Sequence, residues 1–246
     1  MRAMVFSKRC AKEVLRDPLT IIFGIGFPVV VLLLLSVMNL NIPKEAEMAL
    51  FKIENLAPGV MVFGFSFLAL FGGLLLSTDR DTAFLTRLYT SPLRASDFLV
   101  GYALPLLPIG LVQVICCVVL SLCFGLAPTV HLLTLVLFLL PVLLLFVGIG
   151  LLTGAVFNAR QVGSLCGALL TNLSAWLSGT WFSLDLLGDA FRAVAYALPF
   201  ANAVDAARAA LAGDLSLALR HVWIVLLYAI AVLVLAVLVF RRKMKE

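Results

Sequence analysis

Residues 81–94 read DTAFLTRLYTSPLR, a short run of charge, threonine and proline between two apolar stretches. Before it, from residue 59, stands GVMVFGFSFLALFGGLLLS; after it, from residue 98, stands FLVGYALPLLPIGLVQVICCVVLSLC. About 20 apolar residues in a helix, rising 1.5 Å each, cross a hydrocarbon core of roughly 30 Å. Each flank is that long, so the polar island reads as a turn outside a membrane between two crossings.

The whole chain has the same character. Of 246 residues, 63% are hydrophobic and 13% charged, against about 25% charged in soluble domains; the mean hydropathy is +1.16. A backbone in lipid must satisfy its own hydrogen bonds. The expected fold is therefore an all-α integral membrane protein, one transmembrane domain over 1–246. Six segments qualify as spans, at about 19–39, 58–77, 98–126, 132–157, 162–184 and 219–240. Pro28, Pro105, Pro108 and Pro141 fall inside spans and predict kinks. The first apolar run is longer than the 7–15 residues of a signal core and is read as a retained span. The five cysteines, four of them in apolar runs, read as small buried hydrophobes.

Lys and Arg set the expected orientation. With both termini in the cytoplasm, the inner segments hold Arg2, Lys8, Arg9, Lys12, Arg16, Arg80, Arg87, Arg94, Arg160, Arg241, Arg242, Lys243 and Lys245. Only Lys44, Lys52, Arg192, Arg208 and Arg220 remain outside, and the island becomes cytoplasmic. Residues 1–18 mix Met4, Val5, Cys10, Ala11, Val14 and Leu15 with basic residues, which fits an interfacial amphipathic helix facing anionic lipid, or a basic tail that only sets topology. Asp17–Pro18 is a turn signal. Residues 185–218 are too polar for a span and too apolar for a free loop. Pro199 splits them into two short helices expected to dip into the outer leaflet and return, or to lie on its surface. Asp205 and Arg208 share a helix face, and Gly213 is a stop.

The chain shows no G-x-x-x-x-G-K-[ST], no H-E-x-x-H and no mid-span aspartate pair. His131 and His221 fall near span ends. Ser178–Gly179 matches part of an intramembrane protease motif, but Trp176 stands where a small residue is needed. Catalysis, metal binding and a cofactor in this chain are not expected, nor is nucleic acid a partner. Few ionisable residues lie within the spans, and no inverted repeat is evident, which argues against a secondary transporter.

Within the island (78–97 with its flanks), Asp81 can cap a helix beginning near Thr82. Phe84, Leu85, Leu88 and Tyr89 gather on one side of it. Pro92 ends it near Thr90, and either Ser91 or Ser96 caps the next helix. Arg80, Arg87 and Arg94 balance Asp79, Asp81 and Asp97, so a protein partner explains the segment better than anionic lipid does. The stretch resembles the acidic-x-Gly-T-L-E-R-L-x-x-[ST]-P-L motif of type-2 ABC export permeases. Leu85, Arg87, Leu88, Ser91, Pro92 and Leu93 match, and Asp81 matches in charge. Ala83 replaces the glycine and Thr86 the glutamate. The late ALPFANAVDAARAALAGD resembles that family's ending at Pro199, Arg208 and Gly213.

The resemblance implies a coupling helix resting on a separate ATP-binding-cassette ATPase, through Asp81, Phe84, Leu85, Arg87, Leu88 and Pro92. It also implies a second permease copy or a sibling permease, ATP and Mg held by the partner ATPase, and a site in the cell (inner or plasma) membrane. It puts spans two and five around a central cavity. Phe63, Phe67 and Phe71 form an aromatic ridge on span two. Gly163, Gly167, Thr171, Ala175 and Gly179 form a small-residue ridge on span five that suits close helix or dimer packing. Phe63, Phe67, Asn172 and Trp176 touch an amphipathic or apolar cargo (drug, lipid, peptide or lipid-linked glycan), or else the phenylalanines face lipid or packing neighbours and Asn172 makes an interhelical hydrogen bond. The expected function is the membrane subunit of an ATP-driven exporter. An anchor that recruits an ATPase without transport, and a channel or secondary transporter, are the alternatives.

Overall fold

The computed structural model describes residues 2–43, 49–82 and 93–244, and no strand occurs among them. Helix α1 (Arg2–Arg16) is followed by α2 (Pro18–Leu40), α3 (Ile53–Asp81), α4 (Ala95–Cys123) and α5 (His131–Val156). Then come α6, built of consecutive pieces Ala159–Val162, Gly163–Leu170 and Thr171–Trp176, the short α7 (Asp189–Ala197) and α8 (Pro199–Ala212), and finally α9 (Leu215–Lys243). Among the described residues α2, α3, α4, α5 and α9 are long and apolar enough to cross a membrane. The segment 162–184, expected to be a further span, is helical only to Trp176 and takes π-helical geometry over Gly163–Leu170.

The sequence punctuation acts locally. Asp17 caps α2, its carboxylate accepting the Leu19 and Thr20 N–H groups, and Pro18 takes the first helical position where no N–H is needed. The wide π-helical turn Ile22–Gly26 ends two residues before Pro28, and the Phe27 N–H donates to the Ile22 carbonyl. Gly213 ends α8 in the left-handed conformation, φ 84°. The backbone also breaks helical geometry beside Pro105, where α4 divides into two pieces.

Helix α3 is the most buried of the long helices and lies along α5. Their contact depends on missing side chains. A Cβ on Gly154 would sit 2.6 Å from the Gly73 carbonyl oxygen, and one on Gly73 would sit 2.7 Å from that of Gly150. A Cβ on Gly150 would run into the Ala69 carbonyl. Gly150-x-x-x-Gly154 thus lets two backbones touch, a packing that lipid-embedded helices favour because burial of apolar surface gives them little advantage. Helix α8 is buried along most of its length against α3, α5 and α9, whereas α9 exposes Trp223, Leu227, Ile230, Val234 and Leu238.

Candidate functional site

The root of the island is the last turn of α3. Successive helical residues point about 100° apart, so Asp79, Arg80 and Asp81 reach in three directions. Asp79 is buried and accepts from both terminal nitrogens of Arg9 on α1, Nη2 to Oδ1 at 2.8 Å and Nη1 to Oδ2, and from the Tyr102 hydroxyl on α4 at 2.7 Å. Arg80 donates to the Ala155 carbonyl and, at 2.9 Å, to the Phe157 carbonyl, filling orphan acceptors at the end of α5. Asp81 accepts the Ala159 N–H at 3.4 Å, at the start of α6. Three consecutive residues therefore tether α3 to α1 and α4, to α5, and to α6.

Helix α1 is held flat against this root. Phe6, Cys10 and Val14 recur every four residues and are buried. The Phe6 ring meets Phe98 at 5.3 Å and Tyr102 at 5.0 Å, edge to face. Gly101 makes room for it, since a Cβ there would strike the Phe6 ring. Met4, Val5 and Leu15 stay exposed. Arg9 also pairs with Glu13 at 2.8 Å. Its hydrogen bond to Asp79 holds the guanidinium more firmly protonated than usual, against the effect of burial. Burial pushes the Cys10 thiol up to about 12, so it is an inert packing group.

Of the residues expected at the coupling interface, Phe84, Leu85, Arg87, Leu88 and Pro92 lie outside the described residues. Asp81 is the last residue of α3, and Thr82 leaves that helix in an extended conformation. On the far side Asp97, and not Ser96, caps α4 by accepting the Arg94 N–H at 2.9 Å.

The aromatic ridge packs inward, whereas the small-residue ridge does not hold together as one face. Phe67 stacks on Phe23 at 6.0 Å and meets Phe27 at 5.1 Å, while Phe63 meets Trp181 at 5.5 Å. These rings bind α2, α3 and the segment after α6 together. Gly167 faces Leu70 of α3, Gly163 has open space, and Gly179 leaves the ridge altogether, in a turn with φ +68°. The π-helical stretch, with more residues per turn than an α-helix, breaks the alignment of residues four apart. Asn172 and Trp176 lie on the opposite, exposed side of α6; Trp176 is 62% exposed and Asn172 donates to its own Ala168 carbonyl at 2.8 Å. The four residues expected to form one cargo path thus fall on two faces.

A second polar node lies at the end of the bundle far from α1. Arg208 donates to the Asn55 carbonyl and to the Gly179 carbonyl, each at 3.0 Å, and stands 3.8 Å from Asp205. Asp205 accepts the Tyr196 hydroxyl at 2.6 Å, and burial together with this carboxylate pushes that phenol up to about 12. Asn202, buried on α8, donates to the Tyr196 and Leu198 carbonyls across the bend at Pro199. Its Oδ1 meets His221 Nδ1 of α9 at 2.9 Å. Arg208→Ala should strand two carbonyls and lower stability by about 2–3 kcal/mol; thermal unfolding in detergent checks this, and an unchanged midpoint would show that the staple carries no weight.

The Asp79–Arg9–Tyr102 node was not expected from the sequence. Its one signal is an aspartate set at the end of an apolar run, next to an arginine. The family model for the ABC-2 type transporter matches residues 2–212, from the start of α1 to the end of α8. No curated protein matches the chain.

Proposed function

The chain belongs to the ABC-2 type transporter family, and from that premise we propose that it is the membrane subunit of an ATP-driven exporter, powered by separate ATPase subunits that dock on residues 82–92. A multi-pass transmembrane subunit of an ABC transporter is what the family establishes; export, the docking segment and the pairing of two permeases are our reading. The observation that carries it is the triple tether Asp79–Arg80–Asp81. A push on the segment beyond Thr82 acts on a rigid root bonded to α1, α4, α5 and α6, so it moves helices instead of bending a loop. Copurification from native membranes tests the docking. An ATP-binding-cassette ATPase should come down with the wild-type chain, and Arg87→Glu should reduce its recovery at least several-fold by reversing charge at the interface. An ATPase recovered equally with both would remove the docking assignment.

In this reading α6 is the sixth crossing, α7 and α8 dip into the outer leaflet, and the termini lie in the cytoplasm with most of the Lys and Arg. The exposed side of α6 faces a second permease copy, and Asn172 and Trp176 border the cargo path between them. An amide on an otherwise apolar, exposed helix face suits a protein-lined cavity better than lipid. Phe63 and Phe67 become packing residues. Asn172→Ala and Trp176→Ala should therefore alter ATP-dependent transport in vesicles while yield stays intact. Phe67→Ala should instead lower thermal stability, by about 2 kcal/mol for a half-buried ring. Unaltered transport in both α6 variants would leave the cargo path elsewhere.

A further inference from the structure

At the end of the bundle opposite α1, the ends of α2 and α4 and the start of α3 border an open pocket of about 260 Å³. Ser36, Asn39, Phe51, Lys52, Glu54 and Phe124 line it. Two polar atoms of its lining residues have no hydrogen-bond partner among the described residues: Ser36 Oγ and Asn39 Oδ1, both buried. Serines in apolar helices usually bond back to a carbonyl one turn earlier. Ser66, Ser77 and Ser121 do so here, to Phe63, Leu74 and Cys117. Ser36 does not, although it is only 5% exposed. An orphan hydroxyl and an orphan amide oxygen in one pocket mark groups kept for something outside the chain. The rim is fixed beforehand, because Asn41 donates to the Val37 carbonyl and Asn55 to the Ala49 carbonyl, both at 2.8 Å.

The lining selects a ligand. Glu54 and Asn39 Oδ1 are acceptors suited to an N–H cation, Lys52 suits an anion, and among the described residues neither Lys52 nor Glu54 has an ion pair. A partner carrying both signs meets these needs together. The volume falls below the roughly 300–1,000 Å³ of drug-sized pockets, and beside it α2 exposes Leu33, Leu34, Val37, Met38 and Leu40. We infer that this pocket holds the phosphoethanolamine headgroup of one bilayer phospholipid. Its ammonium lies on Glu54 and Asn39, its phosphate on Lys52 and the Ser36 hydroxyl, and its chains lie along α2. A choline headgroup, lacking N–H donors, leaves Asn39 Oδ1 unpaired and is rejected. The inference requires only that these helices sit in a bilayer, so it stands or falls independently of the exporter reading.

The test is native mass spectrometry of the delipidated protein offered phosphatidylethanolamine, phosphatidylcholine or phosphatidylglycerol. One phosphatidylethanolamine should be retained per chain, in preference to the other two. Glu54→Gln should cut retention about tenfold, as loss of a charge-assisted hydrogen bond does. Ser36→Ala should weaken retention about threefold, yet leave thermal stability in lipid-free detergent unchanged or raised, because it deletes an unpaired hydroxyl. Equal retention of phosphatidylglycerol or phosphatidylcholine, or full retention by Glu54→Gln, overturns the proposal. So does a lower lipid-free stability of Ser36→Ala. If soluble phosphoethanolamine displaces the lipid at millimolar concentration, the headgroup alone is the ligand, and the lipid assignment fails.

Discussion

Gly150→Leu should abolish recovery of folded protein from membranes, whereas Gly163→Leu should not. The two glycines look alike in the sequence, each inside an apolar segment. A Cβ at Gly150 meets the backbone of Ala69, while one at Gly163 meets nothing within 4 Å. Overpacking a core by a methylene or two costs about 1–3 kcal/mol when side chains can yield. Backbone cannot yield without parting α3 from α5, so Gly150→Leu exceeds that range. A loss of even 1–2 kcal/mol changes cellular abundance several-fold. Size-exclusion yield after mild detergent extraction reads the difference; a normal peak for Gly150→Leu would mean that α3 and α5 do not pack as described.

Asp79→Asn should be the most damaging polar substitution at the root of the island. The carboxamide keeps the shape but offers donors where Arg9 and Tyr102 also donate. Removing one member of a buried charged set costs about 3 kcal/mol, more than the net worth of the pair, because the survivors are left unmatched. Tyr102→Phe removes one of three hydrogen bonds and should cost about 1 kcal/mol. The cycle of Arg9→Ala with Asp79→Asn should be strongly non-additive, the double variant losing little more than either single one. Additive losses in thermal unfolding would show that the two residues act apart.

The long helices were legible because apolar length is a one-dimensional signal. The breaks at Asp17–Pro18, Pro199 and Gly213 were legible because each is a local backbone effect. The close contact of α3 with α5 was present in the sequence as Gly150 and Gly154, but so were glycines at 163 and 167, and spacing alone does not say which pair faces a backbone. Helix α6 is shorter than its apolar run. Counting apolar residues over 162–184 ignores the π-helical stretch and the turn at Gly179, whose carbonyl is held by Arg208 from another helix. Phe63 and Phe67 show the same limit, since a ridge seen along one helix does not reveal that Phe23, Phe27 and Trp181 already cover it. In the sequence Asp79 is only one charge balancing another; its partners come from residues 70 positions earlier and 23 later.

The central claim is that ATP hydrolysis on a partner acts on this chain through residues 82–92 and their root. The most direct measurement is hydrolysis by the reconstituted complex, comparing the wild-type chain with Leu88→Asp and Asp79→Asn. The wild-type chain should change the ATPase rate. Leu88→Asp should return that rate to the value of the ATPase alone. Asp79→Asn, still bound to the ATPase, should abolish the change. Rates in both variants equal to that of the wild-type complex would contradict coupling through residues 82–92 and their root.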